Sequence, residues 1–99
     1  MRKTYTLYKS TNPKKKFDIY VNHKGRIRKV SFGARGYSDY TIHKDYDRMK
    51  RYRKRHKKDK IRDPTRSGFW SWWVLWNKPS LRQSLKDTRK RFKMRPTRF

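Results

Sequence analysis

Histidine and aspartate side chains are the groups of this chain that could take part in catalysis or bind a metal. The three histidines lie far apart in the sequence, at His23, His43 and His56. With no Cys and no Glu, the familiar zinc ligand sets are absent. Asp39, Asp45 and Asp47 could hold Mg²⁺. However, Asp45 and Asp47 fall near the start of a predicted helix, where the helix dipole stabilises negatively charged carboxylates. We therefore expect no catalytic residue, metal site, cofactor or small-molecule substrate, and a non-enzymatic protein.

A basic segment between Arg48 and Lys60 indicates polyanion binding instead. Its nine cations are Arg48, Lys50, Arg51, Arg53, Lys54, Arg55, Lys57, Lys58 and Lys60. Like charges four residues apart, such as Lys50 and Lys54, destabilise a helix slightly, and a phosphate backbone or an acidic protein surface would relieve that repulsion. A solvated basic face and a nuclear-import signal are the alternative interpretations.

The charge of the whole chain supports a negatively charged partner. The chain has 32 Lys and Arg against seven acids in 99 residues, a formal net charge of +25. An ordinary small domain has a net charge of about 2–8 in magnitude. Phosphate contacts position a protein without reading base sequence, and no zinc-finger, RNP or KH signature is present. We expect any nucleic-acid binding to be independent of sequence.

An aromatic block follows the basic segment. Its members are Phe69, Trp70, Trp72, Trp73 and Trp76. These rings could form the core, contact another protein, stack on bases or lie at a membrane interface. Each ring can bury about 150–250 Å², and a chain so poor in aliphatic residues needs that burial in order to fold. We therefore predict that the block is mainly core.

Alternation of polar and apolar residues in the N-terminal third predicts β-structure. Strands are expected at Thr4–Tyr8 and Arg26–Phe32, with a strand between them in which Phe17, Ile19 and Val21 share one face. Such a small antiparallel sheet needs a cover for its apolar face. The predicted fold class is α+β, with this hairpin or sheet packed on two to three helices and an aromatic core.

Helical periodicity predicts the elements that present the cations and cover the sheet. One helix is expected over Ile42–His56, with a less polar stripe at Ile42, Tyr46, Met49, Tyr52 and His56. A second follows the capping-box pattern from Ser80 to Gln83, with a stripe at Leu81, Leu85, Thr88 and Phe92.

The length of the chain allows one small domain. We assign residues 1–92 to it and residues 93–99 to an irregular basic tail. No stretch suits a signal peptide, and the longest apolar run is far below the ~20 residues of a transmembrane helix. The absence of Cys fits a reducing environment.

Several short motifs run from the third strand of the predicted sheet to the second predicted helix. They are Ser31-Phe32-Gly33, Tyr37-Ser38-Asp39-Tyr40-Thr41 with His43 and Asp45, Tyr52 with Arg55-His56, Gly68-Phe69-Trp70-Ser71, Leu75-Trp76-Asn77-Lys78-Pro79, and Ser84, Asp87 and Arg91-Phe92. In these motifs the chain resembles a small, poorly characterised family of proteins encoded by large double-stranded DNA viruses of algae and protists. The resemblance implies a viral origin and no catalytic residues. This chain departs from the pattern in its additional cations between Arg48 and Lys60 and in Arg66.

Two functions follow as hypotheses. The first is a minor structural protein of a virion, located in the capsid or at its inner face, which binds acidic capsid proteins. The second is a sequence-nonspecific DNA-binding or genome-condensing protein. Either protein would be found in the host cytoplasm or nucleus during infection.

Overall fold

The computed structural model describes residues 3–96, which form a four-stranded sheet with helices packed on one face. The strands are β1 (Lys3–Lys9), β2 (Lys15–His23), β3 (Arg26–Ala34) and β4 (Met94–Pro96). The helices are α1 (Tyr40–His43), α2 (Tyr46–His56), α3 (Ser67–Trp70) and α4 (Leu81–Phe92), with a π-helical segment, Ser71–Leu75, directly after α3. The predicted α+β class is confirmed.

The sheet has the strand order β3-β2-β1-β4. β1, β2 and β3 are antiparallel, and Lys24 and Gly25, both with positive φ, form the tight turn between β2 and β3. β4 pairs in parallel with β1 and places Met94 beside Lys3. The prediction of an irregular tail over residues 93–99 is therefore wrong for Met94–Pro96, which hydrogen-bonds to the backbone of β1 at the edge of the sheet. Residues 97–99 lie outside the described part of the chain.

The core lies between the inner face of the sheet and the aromatic block. Alternate strand residues point to this face and are buried, as the predicted period of two requires: Tyr5, Ile19, Val21, Val30 and Phe32. Phe69, Trp70, Val74 and Leu75 pack against them from α3 and the π-helical segment. The outer face of the sheet, defined by Thr4, Thr6, Tyr8, Asp18, Tyr20, Asn22, Ile27, Lys29 and Ser31, exposes tyrosine and isoleucine side chains.

The single helix predicted over Ile42–His56 is in fact two helices. Lys44 has a φ of 55°, which ends α1, and α2 begins only at Tyr46. Ile42 and Tyr46 are exposed, so the predicted apolar stripe holds only from Met49 onward. The periodicity was misleading here because the break depends on the left-handed conformation of one ordinary lysine, for which the sequence has no signal.

Ser80 caps α4, and the less polar stripe of α4 faces the core, as predicted. The Ser80 hydroxyl accepts a hydrogen bond from the Gln83 backbone N–H, at 3.1 Å. Thr88 is buried, and Leu81, Leu85 and Phe92 are partly buried against the core. Lys93 then adopts a left-handed conformation, which turns the chain into β4. α4 thus closes the aromatic core opposite the sheet.

Candidate polyanion-binding surface

The basic surface consists of exposed cations on α2 and on the turn after it. Its eight members are Arg48, Lys50, Arg51, Lys54, Arg55, Lys57, Lys58 and Lys60. Within residues 3–96, no ion pair joins any of these side chains to a carboxylate. Their positive charge is therefore left for solvent, counterions or a partner to neutralise.

The N-terminus of α2 is held by Asp45. Its carboxylate accepts hydrogen bonds from the backbone N–H groups of Asp47 and Arg48, at 3.0 and 3.2 Å. The Asp45 N–H in turn donates to Nδ1 of His43, at 2.8 Å. Asp45 is therefore the N-cap of α2, not a residue within the first turn of a longer helix as the sequence predicted, and it fixes where the cationic turns of α2 begin.

The inward side of α2 is attached to the aromatic block by stacked rings. Tyr52 lies between His56 and Trp76, with centroid separations of 4.3 Å to each. Burial raises the pKa of the Tyr52 hydroxyl to about 12, so this residue is neutral at physiological pH. Met49, one turn earlier, is buried. These contacts orient α2 so that its remaining side chains, with the exception of Arg53, face solvent.

Arg53 differs from the other predicted polyanion-binding residues. Its Nε donates to the Trp76 carbonyl at 3.0 Å, and Nη2 donates to Oδ1 of Asn77 at 3.3 Å. The guanidinium also lies over the Trp72 ring, 4.8 Å from its centroid. Burial lowers the pKa of Arg53 from its ordinary value. The planar guanidinium stacks on the indole, so Arg53 belongs to the fold rather than to the basic surface.

A polar network extends from Arg53 to α4. Nδ2 of Asn77 donates to the Asp87 carboxylate at 2.8 Å, and Nε of Arg91 donates to the same oxygen at 3.4 Å. Burial acts to raise the pKa of Asp87, but these hydrogen bonds outweigh it and the pKa is lowered. The Arg91 guanidinium lies 4.8 Å from the centroid of the Trp73 ring. α2 and α4 are therefore linked through Asn77.

The indole N–H groups of the aromatic block hold the connector that follows the basic surface. Trp70 donates to the Pro64 carbonyl at 2.7 Å and Trp73 to the Ile61 carbonyl at 2.6 Å. Of the five predicted core aromatics, Phe69, Trp70 and Trp72 are buried, while Trp73 and Trp76 are partly buried. The block thus fills the core and also positions the basic surface.

The aspartates considered for catalysis lie at the starts of α1 and α2. Asp39 caps α1 and forms an ion pair with Lys16, while Asp47 lies in the first turn of α2. Across residues 3–96, no group of three such side chains is arranged to hold a metal ion. Burial lowers the pKa values of His23 and His43, which favours their neutral forms.

Two tyrosines on the outer face of the sheet were not predicted to be candidate binding residues. Tyr8 is 46% exposed and Tyr20 38% exposed, and their rings are in contact, with centroids 5.8 Å apart. In each strand the tyrosine lies on the solvent-facing side, at a position that alternates with residues of the buried face. An aromatic residue at a position where the alternation predicts a polar one is the signal that could have identified them.

The fold and the basic surface together define a small α+β protein. The exposed Lys and Arg side chains of its helix α2 form no ion pair within residues 3–96. The chain belongs to DUF5754, a family of unknown function, whose model matches residues 5–56, from β1 to the end of α2. No curated protein and no solved structure matches the chain. None of the helices in residues 3–96 is long and apolar enough to cross a bilayer.

Proposed function

We propose that this protein is a non-enzymatic, sequence-nonspecific nucleic-acid-binding protein whose basic surface lies along the phosphate backbone. The observation that supports the proposal is the set of eight exposed cations without a carboxylate partner in residues 3–96. A polyanion supplies the missing counter-charge, and each phosphate it presents releases condensed counterions when neutralised. A protein with these contacts would compact nucleic acid without selecting a sequence.

The spacing of the cations on α2 suits a row of phosphates. Successive helical turns are about 5.4 Å apart. Lys50, Arg51 and Lys54 lie together on an exposed stripe whose N-terminal member is Asp47. Duplex DNA has one charge per about 1.7 Å of its axis, so several phosphates lie within reach of one such stripe. Arg51 adds a planar guanidinium that can bind a phosphate through two hydrogen bonds.

The proposal is tested by the salt dependence of duplex binding in two charge-matched variants. In the first, Lys50, Arg51 and Lys54 are replaced by Gln. In the second, three exposed α4 cations, Arg82, Lys86 and Lys90, are replaced by Gln. Each neutralised phosphate contributes about 0.9 to the slope of log K against log salt, so we expect the first variant to lose about 2–3 from the slope. Equal losses in both variants, or no duplex binding by the natural chain, would contradict the proposal.

A second candidate function is a minor structural protein in the capsid of a large DNA virus. It is favoured by the family resemblance and by the way that Tyr52 and Arg53 hold the basic surface at fixed positions in the fold. Fixed cations can match a fixed acidic surface on a neighbouring protein as well as they match phosphates. In this role the protein would bind acidic capsid proteins at the inner side of the particle.

Purified virions distinguish the two functions. The ratio of this protein to the major capsid protein is measured before and after the genome is removed. An unchanged ratio in emptied particles supports the capsid role, and loss of the protein together with the DNA supports nucleic-acid binding. Absence from virions would exclude the capsid role.

A further inference from the structure

We propose that the outer face of the sheet binds unpaired bases of single-stranded nucleic acid, which stack on Tyr8 and Tyr20. This proposal rests on the nucleic-acid binding proposed above and adds a second contact, with bases rather than phosphates. The face forms a shallow groove of about 710 Å³. It lies on the opposite side of the sheet from the aromatic core.

The two tyrosines form an open aromatic platform. Thr6 is the cross-strand partner of Tyr20, and Asp18 is the partner of Tyr8, so the rings are diagonal neighbours on β1 and β2. Their planes meet at 82°, an edge-to-face arrangement in which the rings do not cover each other. Nearby, Ile27 on β3 is 71% exposed. Every base has a flat π-face that can stack on such rings, whatever its identity.

Hydrogen-bonding groups surround the rings. Thr4, Thr6 and Asn22 line the same groove and can donate to or accept from base edges. The carboxylate of Asp18 is buried beneath the groove and accepts from the hydroxyls of Ser10 and Ser31, at 2.7 and 2.6 Å. Its negative charge is already satisfied within the fold.

Cations at both edges of the sheet complement the platform. Lys29, the cross-strand partner of Tyr20 on β3, is half-exposed, although its Nζ also lies 3.7 Å from the Asp18 carboxylate. Arg95 is the partner of Thr4 on β4. Lys9, next to Tyr8, also lines the groove. A single strand laid across the sheet would place its bases over the rings and its phosphates near these cations. A second copy of the chain would instead bring like charges together, which disfavours self-association through this face.

The proposal is tested by the affinity for a fluorescent oligothymidylate and for a duplex of the same length. Tyr8→Leu and Tyr20→Leu remove one ring each, with Tyr37→Leu as the control, since Tyr37 is exposed in a turn away from this face. A base stacked on an aromatic ring corresponds to about a 5- to 150-fold change in affinity. We expect at least a fivefold loss of single-strand affinity for the first two variants, with unchanged duplex affinity and no loss for the control.

The outcomes separate this proposal from the proposed function. If duplex binding depends on the basic surface but Tyr8→Leu and Tyr20→Leu bind the oligonucleotide like the natural chain, the base-stacking site is wrong and the proposed function stands. If the natural chain binds neither nucleic acid, both are wrong. If the natural chain is a dimer that the tyrosine variants disrupt, or binds an acidic peptide through these rings in preference to the oligonucleotide, the occupant is a protein.

A measurement on the natural chain guards against variants that fail to fold. An oligonucleotide containing 5-iodouracil is bound, irradiated and digested, and the cross-linked peptides are identified by mass spectrometry. We expect the cross-links at Tyr8 or Tyr20. Cross-links confined to other residues would overturn the proposal.

Discussion

Tyr52 and Trp76 stack face to face, with ring centroids 4.3 Å apart and planes only 4° from parallel. Tyr52 belongs to α2, and Trp76 follows the π-helical segment, so one ring contact joins the cationic helix to the aromatic core. Immediately beside it, Arg53 donates to the carbonyl of Trp76. The orientation of the basic surface therefore depends on neighbouring residues of α2 that face inward.

The first prediction separates Arg53 from the cations around it. We expect Arg53→Ala to lower the free energy of unfolding by about 2 kcal/mol, because it removes charged hydrogen bonds to Trp76 and Asn77 and a stacked guanidinium. Arg51→Ala, an exposed neighbour, should change it by less than about 0.5 kcal/mol. Urea unfolding followed by tryptophan fluorescence measures both. Similar values for the two variants would show that Arg53 is not structural.

The second prediction compares two glycines with nearly the same backbone conformation. Gly33 and Gly25 have φ values of 79° and 77°, but a Cβ on Gly33 would lie 2.9 Å from Cδ1 of Leu75, whereas a Cβ on Gly25 meets nothing within 4 Å. We expect Gly25→Ala to cost about 1 kcal/mol from the positive φ alone. Gly33→Ala should cost about 1–3 kcal/mol more, because it overpacks the core. Equal losses in urea unfolding would contradict the close packing at Gly33.

The third prediction concerns the cap of α2. Asp45→Ala removes the acceptor for two backbone N–H groups and should destabilise the protein by about 1 kcal/mol. Asp45→Asn removes the same charge but retains an acceptor oxygen, so it should cost clearly less. The two variants are compared by urea unfolding, with helicity followed by circular dichroism at 222 nm. Equal losses for the two variants would mean that the charge of Asp45, not its capping hydrogen bonds, is what stabilises the helix.

The fourth prediction is a pH dependence that arises from Asp18. Hydrogen bonds from the hydroxyls of Ser31 and Ser10 lower the pKa of this carboxyl below its ordinary value. A lowered pKa in the folded state means that the ionised form stabilises the fold above the unfolded pKa, about 3.9, and that this stability is lost as the pH falls through the folded pKa.

Asp18→Asn isolates this contribution. We expect the natural chain to be more stable than the variant near pH 6, and the difference to shrink as the pH falls below about 4. Urea unfolding at a series of pH values measures the difference, in which the other aspartates cancel. A difference that does not change with pH would show that Asp18 is not stabilised in its ionised form.

The sheet and α4 could be predicted from the sequence because their signals are local. Alternation placed Ile19 and Val21 on the buried face, and Ser80 marked the start of α4. The interruption at Lys44 was not predictable, since any residue type that is not Gly is uncommon in the left-handed conformation. β4 was missed for another reason: its three residues are too few for a pattern, and its pairing depends on a strand from the other end of the chain.

The candidate site was predicted in composition but not in geometry. Eight of the nine predicted cations of the basic segment are exposed, but sequence periodicity does not reveal that Arg53 turns inward to the Trp76 carbonyl. The acceptor of Arg53, the Trp76 carbonyl, directly follows the π-helical segment, in which the Trp76 N–H donates to the Ser71 carbonyl instead of the Trp72 carbonyl that an α-helix would use. Long-range contacts of this kind have no signature within a short window of sequence.

The parallel pairing of β1 with β4 has a consequence for the order of folding during synthesis. A ribosome adds about 5–20 residues per second, so β1 has emerged several seconds before Met94, its neighbour across the sheet. Contacts between such distant residues also slow the folding reaction itself. α2 is therefore synthesised before β4, and its cations are exposed to solvent before β4 can complete the sheet.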